Sequence, residues 1–383
     1  MSNVSEQLNW FCQSAAEPRR CLEEWLDNGG KAVGCLPYYA PEELVWAAGF
    51  LPMAVWGAGL TAYQSKAWFP PHICSLAHTS LELAVRGGYR GLSAVICSPL
   101  CDTLRALSQN WRAAVTEIPM LTYTQPQNRD TPYGRELLRS EYRSLYRKLC
   151  EISLEQESES ALQDSIRIYN ASRRERRRFI AFAAQHGALI RTSARCAVLK
   201  AAGFRDPETY TARLRELNDA LAALPAERND RIPVVTSGIL CDHLKLLELL
   251  DDYGYTIVGD DMAAESRAIA GEVPEDWEDG CAALAERFAM LRNDTLLSAC
   301  GCTKMPAGAG REAALAELAQ RTGAAAVLLI QQQFCDPEEL LAPAAKQALE
   351  QAGIPCLILP VDQQTANSGQ SATLLETLAD ILR

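Results

Sequence analysis

Long apolar runs are missing from this 383-residue chain: the longest, Ala324–Ile330, has seven residues, where a membrane-spanning helix needs about 20. The opening, MSNVSEQL, has no basic segment followed by an apolar one, so no secretory leader is read there. These two absences predict a cytoplasmic protein without a membrane role. An excess of positive charge is also lacking: 37 Lys and Arg stand against 48 Asp and Glu, a net charge of −11. A nucleic-acid binder needs a basic surface for phosphate contacts, so that class is excluded. There is no compact CxxC…CxxC set, which argues against a zinc ribbon or a bacterial ferredoxin cluster. A Gly-rich dinucleotide fingerprint is absent as well.

What remains is a chain of ordinary globular composition, 48% apolar and 22% charged, long enough for roughly two to three domains. Two regions alternate short apolar runs with helical patterns. In the first, Leu51–Trp56, Ser93–Cys97 and Met120–Tyr123 read as strands, with helices from Pro41, over Leu76–Val85 and over Thr103–Trp111. In the last, Ile232–Thr236, Tyr255–Val258, Ala325–Ile330 and Cys356–Leu359 are strands. Helices are expected there at His243–Leu250, Ala313–Gln320 and Pro337–Gln351. Such alternation predicts parallel sheets covered on both faces. The stretch between, about 130–224, carries apolar residues at helical spacing (Leu137, Tyr142, Leu145, Tyr146, Leu149) and reads as a helical layer. The expected fold is α/β: two doubly wound, flavodoxin- or Rossmann-like domains, 1–129 and 226–383, around a helical region, 130–225. The basic run Arg173, Arg174, Arg176, Arg177 and Arg178 is expected to be a solvated helix face, with a local site for a partner or acidic ligand as its rival.

Fourteen cysteines are many for a compartment that disfavours disulfides, and suggest metal or redox chemistry. Free cysteine is also a good small core residue, so position must pick out the exceptions. Ligands in open parallel sheets sit beyond the carboxyl ends of the strands. Three cysteines fall there, each before an Asp: Cys101-Asp102, Cys241-Asp242 and Cys335-Asp336. The Asp residues read as helix N-caps. The thiols would feel the positive end of the helix dipole, which favours the thiolate, the ligand form for iron–sulfur clusters. Cys74, ahead of another helical pattern, is a fourth candidate. Cys300-Gly-Cys302 reads as loop, with a ligand pair as the alternative. His72 and His78 flank Cys74 and are read as exposed or structural. Ser237-Gly238, after a strand, could meet a phosphate or flavin, although one Gly in a turn is common.

The segments Gly34-Cys-Leu-Pro-Tyr-Tyr-Ala-Pro-Glu-Glu, Cys101-Asp-Thr-Leu-Arg, Gln125-Pro-Gln-Asn-Arg, Val235-Thr-Ser-Gly-Ile-Leu-Cys-Asp, Asp260-Asp261 with Glu265-Ser-Arg, and Gln332-Gln-Phe-Cys-Asp-Pro-Glu-Glu run almost end to end. On these, the chain resembles the 2-hydroxyacyl-CoA dehydratase family, which also includes benzoyl-CoA reductase-type subunits. The resemblance implies one [4Fe–4S] cluster held by Cys74, Cys101 and Cys335, with Cys241 set aside as a buried or loop residue. It implies a beta-type subunit that forms a heterodimer with an alpha-type subunit and relays an electron from an ATP-dependent iron–sulfur activator. An acyl-CoA would be dehydrated through a ketyl radical, with (R)-2-hydroxyglutaryl-CoA giving glutaconyl-CoA as the expected reaction. Some relatives carry reduced flavin, so FMN or riboflavin is a further expected cofactor. The rival readings are a benzoyl-CoA reductase-type or double-cubane reductase, and a non-catalytic two-domain binding protein.

Overall fold

The computed structural model describes residues 2–36, 38–56, 59–225, 230–291, 310–364 and 369–383. Helices α1 (Ser2–Ala16) and α2 (Pro18–Asp27) precede β1 (Ala32–Leu36), α3 (Glu42–Ala47), β2 (Leu51–Ala54), α4 (Ser75–Val85), β3 (Leu92–Cys97), α5 (Asp102–Ala114) and β4 (Met120–Thr122). The four strands form a parallel sheet of order β2-β1-β3-β4. Helices α6 (Pro132–Ser153), α7 (Glu159–Gln185), α8 (Thr192–Ala201) and α9 (Pro207–Ala222) follow. The second half contains β5 (Ile232–Gly238), α10 (Leu244–Asp252), β6 (Tyr255–Met262), α11 (Gly280–Met290), α12 (Arg311–Thr322), β7 (Ala326–Gln332), α13 (Asp336–Gln351), β8 (Cys356–Val361) and α14 (Gly369–Leu382). Its sheet, β6-β5-β7-β8, is parallel and repeats the order of the first. The expectation of two doubly wound sheets is met. In each, the chain leaves the first strand to one side and later crosses to the other, so ligand crevices are expected at β1/β3 and β5/β7.

The strand β1 was not foreseen, because a five-residue run interrupted by Gly34 carries a weak strand signal. Its centre admits only glycine: a Cβ on Gly34 would lie 2.5 Å from Val55 Cγ2 and 2.8 Å from Val95 Cγ2. Alternate residues of β1 enter different cores. Val33 and Cys35 join one with Leu44, Phe50 and Tyr142, while Ala32 and Leu36 join another with Leu81 and Trp111. The first core continues into the second half through Ile239, Leu240 and Cys335.

The helices of the middle region start where the chemistry dictates. Thr131 and Asp206 cap α6 and α9 through Gly134 N (3.1 Å) and Thr209 N (2.8 Å), each followed by a proline at the first position. On α6 the inward residue is Leu138; Leu137, expected inside, is 45% exposed. Helix α1 packs into this layer, placing Leu8 and Phe11 against Phe179, Leu199 and Tyr210.

The basic run departs from its expected solvated face. Arg173 is buried and paired with buried Glu43 of α3. Arg174 (2.6 Å) and Arg177 both hold Glu272, and Arg178 holds Asp219 at 2.7 Å. These partners are remote in sequence, so local charge pattern could not reveal them. Beside this set, burial lifts the Glu42 carboxyl from 4.5 to about 7, an effect that Arg176 offsets only in part. An acid raised in the fold contributes stability below its unfolded pKa and loses that contribution as pH climbs through its folded value. Glu42→Gln is expected to match the parent near pH 5. At pH 8 it should be more stable by on the order of 2 kcal/mol. Urea midpoints measure this, and equal midpoints at pH 8 would refute the assignment.

Candidate functional site

Cys74, Cys101 and Cys335 each occupy the N-cap position, of α4, α5 and α13 respectively. The Asp residues are therefore not the caps, which corrects the expectation. Asp102 lies inside the first turn of α5 with its side chain 97% exposed, and Asp336 opens α13 behind Cys335. The cap of α10 is His243, and Asp242 instead holds Lys200 at 3.0 Å and Gln363 at 3.1 Å. Cys-Asp at a helix start is ambiguous in sequence, since both residues suit the dipole; the backbone places sulfur at the cap.

The cap position sets each sulfur at the start of its helix. Cys101 Sγ accepts from Leu104 N at 3.4 Å. Cys74 and Cys335 make no such side-chain cap bond; Ala77 N and Glu338 N donate to their carbonyl oxygens, both at 3.0 Å, and the sulfurs feel only the positive helix ends. Two of the thiols far apart in the chain, Cys74 and Cys335, are brought into hydrogen-bond contact, and Cys101 lies within electrostatic reach of Cys74. The touching pair shares its protons unevenly: the Cys335 thiol donates to Cys74 and lowers its pKa, while Cys335 itself is raised. Burial pushes Cys101 up to about 12 against its amide donors. Cys74 and Cys335 share one buried core with Leu100, Ile239 and Leu240, against which Tyr38 packs, and Gln363 N, from the loop after β8, donates to Ser75 Oγ at 3.2 Å.

Cys241 separates from this group. It is buried beside Cys196 of α8, with which it shares a thiol–thiol hydrogen bond. Cys300 and Cys302 lie outside the described residues. His72 is exposed. His78 is buried, with Nδ1 3.1 Å from Ser65 Oγ and Nε2 3.2 Å from Pro70 O. The carbonyl fixes the proton on Nε2, and burial lowers its pKa, so His78 stays neutral and structural.

Ser237 and Gly238 are taken up within the protein. Ser237 Oγ donates to Asp261 at 2.8 Å and accepts from Arg311 at 2.6 Å. Gly238, with φ +152°, backs onto β7 so closely that a Cβ would sit 2.3 Å from Ile330 O. The β5/β7 crevice is thus filled by the protein's own ions: Arg311 holds Asp261 (2.7 Å) and Glu338 (3.2 Å), and Arg267 lies against both. Sequence had flagged the glycine but not this network. A larger cavity, about 1110 Å³, lies between α2, β2, α8 and α10 and is lined by Trp56, Lys200, Phe204 and Leu247; none of the three capping cysteines lines it.

Among the described residues no three His, Cys, Asp or Glu side chains converge on one point as a single metal ion requires. A cuboidal cluster asks for something different: its thiolates bind different irons around a body of iron and sulfide. Three thiols at helix N-caps, Cys74 and Cys335 buried and Cys101 half-buried, are the donor type that such a cluster takes.

Fold and site together define a class: a double α/β protein of two parallel sheets with three thiols at helix N-caps. The family model for 2-hydroxyglutaryl-CoA dehydratase, D-component, matches residues 37–382. The chain belongs to this family. It is 39% identical to the beta subunit of (R)-2-hydroxyglutaryl-CoA dehydratase of Acidaminococcus fermentans, over 99% of this chain and 100% of that one. It is 35% identical to the beta subunit of lactoyl-CoA dehydratase of Anaerotignum propionicum and 33% to that of (R)-phenyllactyl-CoA dehydratase of Clostridium sporogenes, both over full lengths. No described helix is long and apolar enough to cross a membrane.

Proposed function

We propose that the chain is the beta-type subunit of a 2-hydroxyacyl-CoA dehydratase and holds a [4Fe–4S] cluster through Cys74, Cys101 and Cys335. What supports this reading is that Cys74, Cys101 and Cys335 all cap helix N-termini, with Cys74 in contact with Cys335 and near enough to act on Cys101. Such a cluster supplies reversible one-electron storage at a potential set by burial and hydrogen bonding. The chain's own residues tune that setting. The positive N-terminal ends of α4, α5 and α13 stabilise negative charge on the sulfurs. Tyr38, Leu100, Ile239 and Leu240 keep water away, and the Gln363–Ser75 hydrogen bond ties the two halves at the rim.

A dehydratase needs this because the beta proton of a 2-hydroxyacyl thioester is not activated by the carbonyl, and acid–base catalysis at ordinary pKa values is inadequate. One-electron reduction of the thioester to a ketyl expels hydroxide and acidifies that proton. After the proton is lost the product radical returns the electron and the enoyl thioester is released, so the dehydration is redox-neutral. We assign the chain the relay of that electron, from an ATP-dependent activator to an alpha-type subunit that holds the substrate. (R)-2-hydroxyglutaryl-CoA is the proposed substrate, in keeping with the 39% identity to the subunit named for it.

The test is anaerobic co-expression with an alpha-type subunit and an activator, then iron and sulfide analysis and assay on the 2-hydroxyglutaryl, lactoyl and phenyllactyl thioesters. The expected result is about four irons in this chain and fastest turnover of the first thioester. Twice that iron with net reduction of substrate would favour a double-cubane reductase. An iron-free, colourless protein would leave only a ligand-binding role.

A further inference from the structure

We propose a second site, for a small oxyanion, in the cavity of about 260 Å³ bounded by Tyr39, Arg267, Ala270, Arg287 and Leu291. It does not rest on the iron–sulfur reading, and none of the three capping cysteines lines it. Two guanidiniums form its polar wall, and both are more than nine-tenths buried. Arg287 is the unbalanced one. Its Nη2 donates to Ala268 O at 2.5 Å, but its Nε is buried without a hydrogen-bond partner.

The nearby carboxylates are already engaged. Glu43 is bound to Arg173, and Asp261 and Glu338 hold Arg311. Around Arg287, the guanidiniums of Arg173 and Arg176 add to its own charge, with Glu43 and Glu42 as nearby acids. Burial raises the Glu42 carboxyl well above its ordinary range, which weakens it as a counter-charge. A buried cation without a counter-charge is costly, and one is expected to be supplied. Burial and the Arg173 charge push Arg287 down to about 9, in the same direction.

Planar guanidinium forks match ligands that present two oxygens on one face. The cavity volume limits the ligand to a few heavy atoms. Phosphate and short carboxylates share that chemistry.

The full chain, purified anaerobically in chloride buffer, is titrated calorimetrically with inorganic phosphate and separately with glutarate. Saturable binding of at least one is expected, and which one binds identifies the ligand class. Arg287→Met should weaken it at least tenfold. Ala270→Glu, which places a carboxylate on the cavity wall, should abolish binding and raise the melting temperature of the anion-free protein. That second variant decides the matter if Arg287→Met does not fold. Absence of saturable binding to the parent chain, or unchanged affinity in both variants, overturns the site.

Discussion

Cys101→Ser is expected to yield a folded chain stripped of its iron: from about four atoms per chain to fewer than one. Serine is the informative replacement because the residue caps α5. A hydroxyl accepts from the Leu104 amide at least as well as sulfur does, so the helix start survives. Loss of iron then reports loss of a ligand, not of the fold. Cys101→Ala should lose the cluster too, with a further cap cost of about 1 kcal/mol. In the assembled enzyme, either variant should drop turnover to background, because the proposed relay is cut. Cys241→Ala is the control. Its sulfur faces Cys196 in a separate core, and it should keep full iron. Iron assays with anaerobic absorption spectra decide this, and a Cys101→Ser protein with full iron and activity would remove Cys101 from the ligand set.

Sequence and structure agree where signals are local. Short, largely apolar runs such as those in Leu92–Cys97 and Ala326–Gln332 are strands because only a strand buries so short a run on both faces. The middle helices announce themselves with Pro132 and Pro207 behind their capping residues. What depends on remote partners was not legible. Arg173 and Arg177 look solvent-facing until Glu43 and Glu272, about a hundred residues away, are seen beside them. The site divides in the same way. Spacing set Cys241 level with Cys74, Cys101 and Cys335, since each follows a strand or precedes a helical pattern. The difference is that α10 begins beyond Cys241, with His243 as its cap, whereas the other three cysteines occupy the cap position themselves. Resemblance separated the four; spacing could not.

Arg195→Met is expected to be the most destabilising single change outside the cores, at about 3–5 kcal/mol. Arg195 projects from α8 with its side chain 2% exposed, and it holds Asp260 at 2.5 Å and Glu265 besides. Those carboxylates close β6 and the turn after it, so one side chain bolts the helical layer to the second sheet. Asp260 is further fixed by Ser266 N at 2.9 Å and Met262 N at 3.2 Å, and it cannot swing out to water. Removing the guanidinium strands two buried negative charges with no cation in contact. Burial already raises Glu265 with Arg195 in place, and without the guanidinium it must rise further. Raised acids cost nothing while protonated and destabilise as pH climbs through their folded values. The penalty should therefore shrink near pH 5 and be full at pH 8. Arg195→Lys should recover little, since a single ammonium cannot span two carboxylates as the guanidinium fork does. Urea midpoints at both pH values provide the measurement. A loss under 1 kcal/mol at pH 8, or one independent of pH, would show that the two acids find other partners and that the bolt is not Arg195.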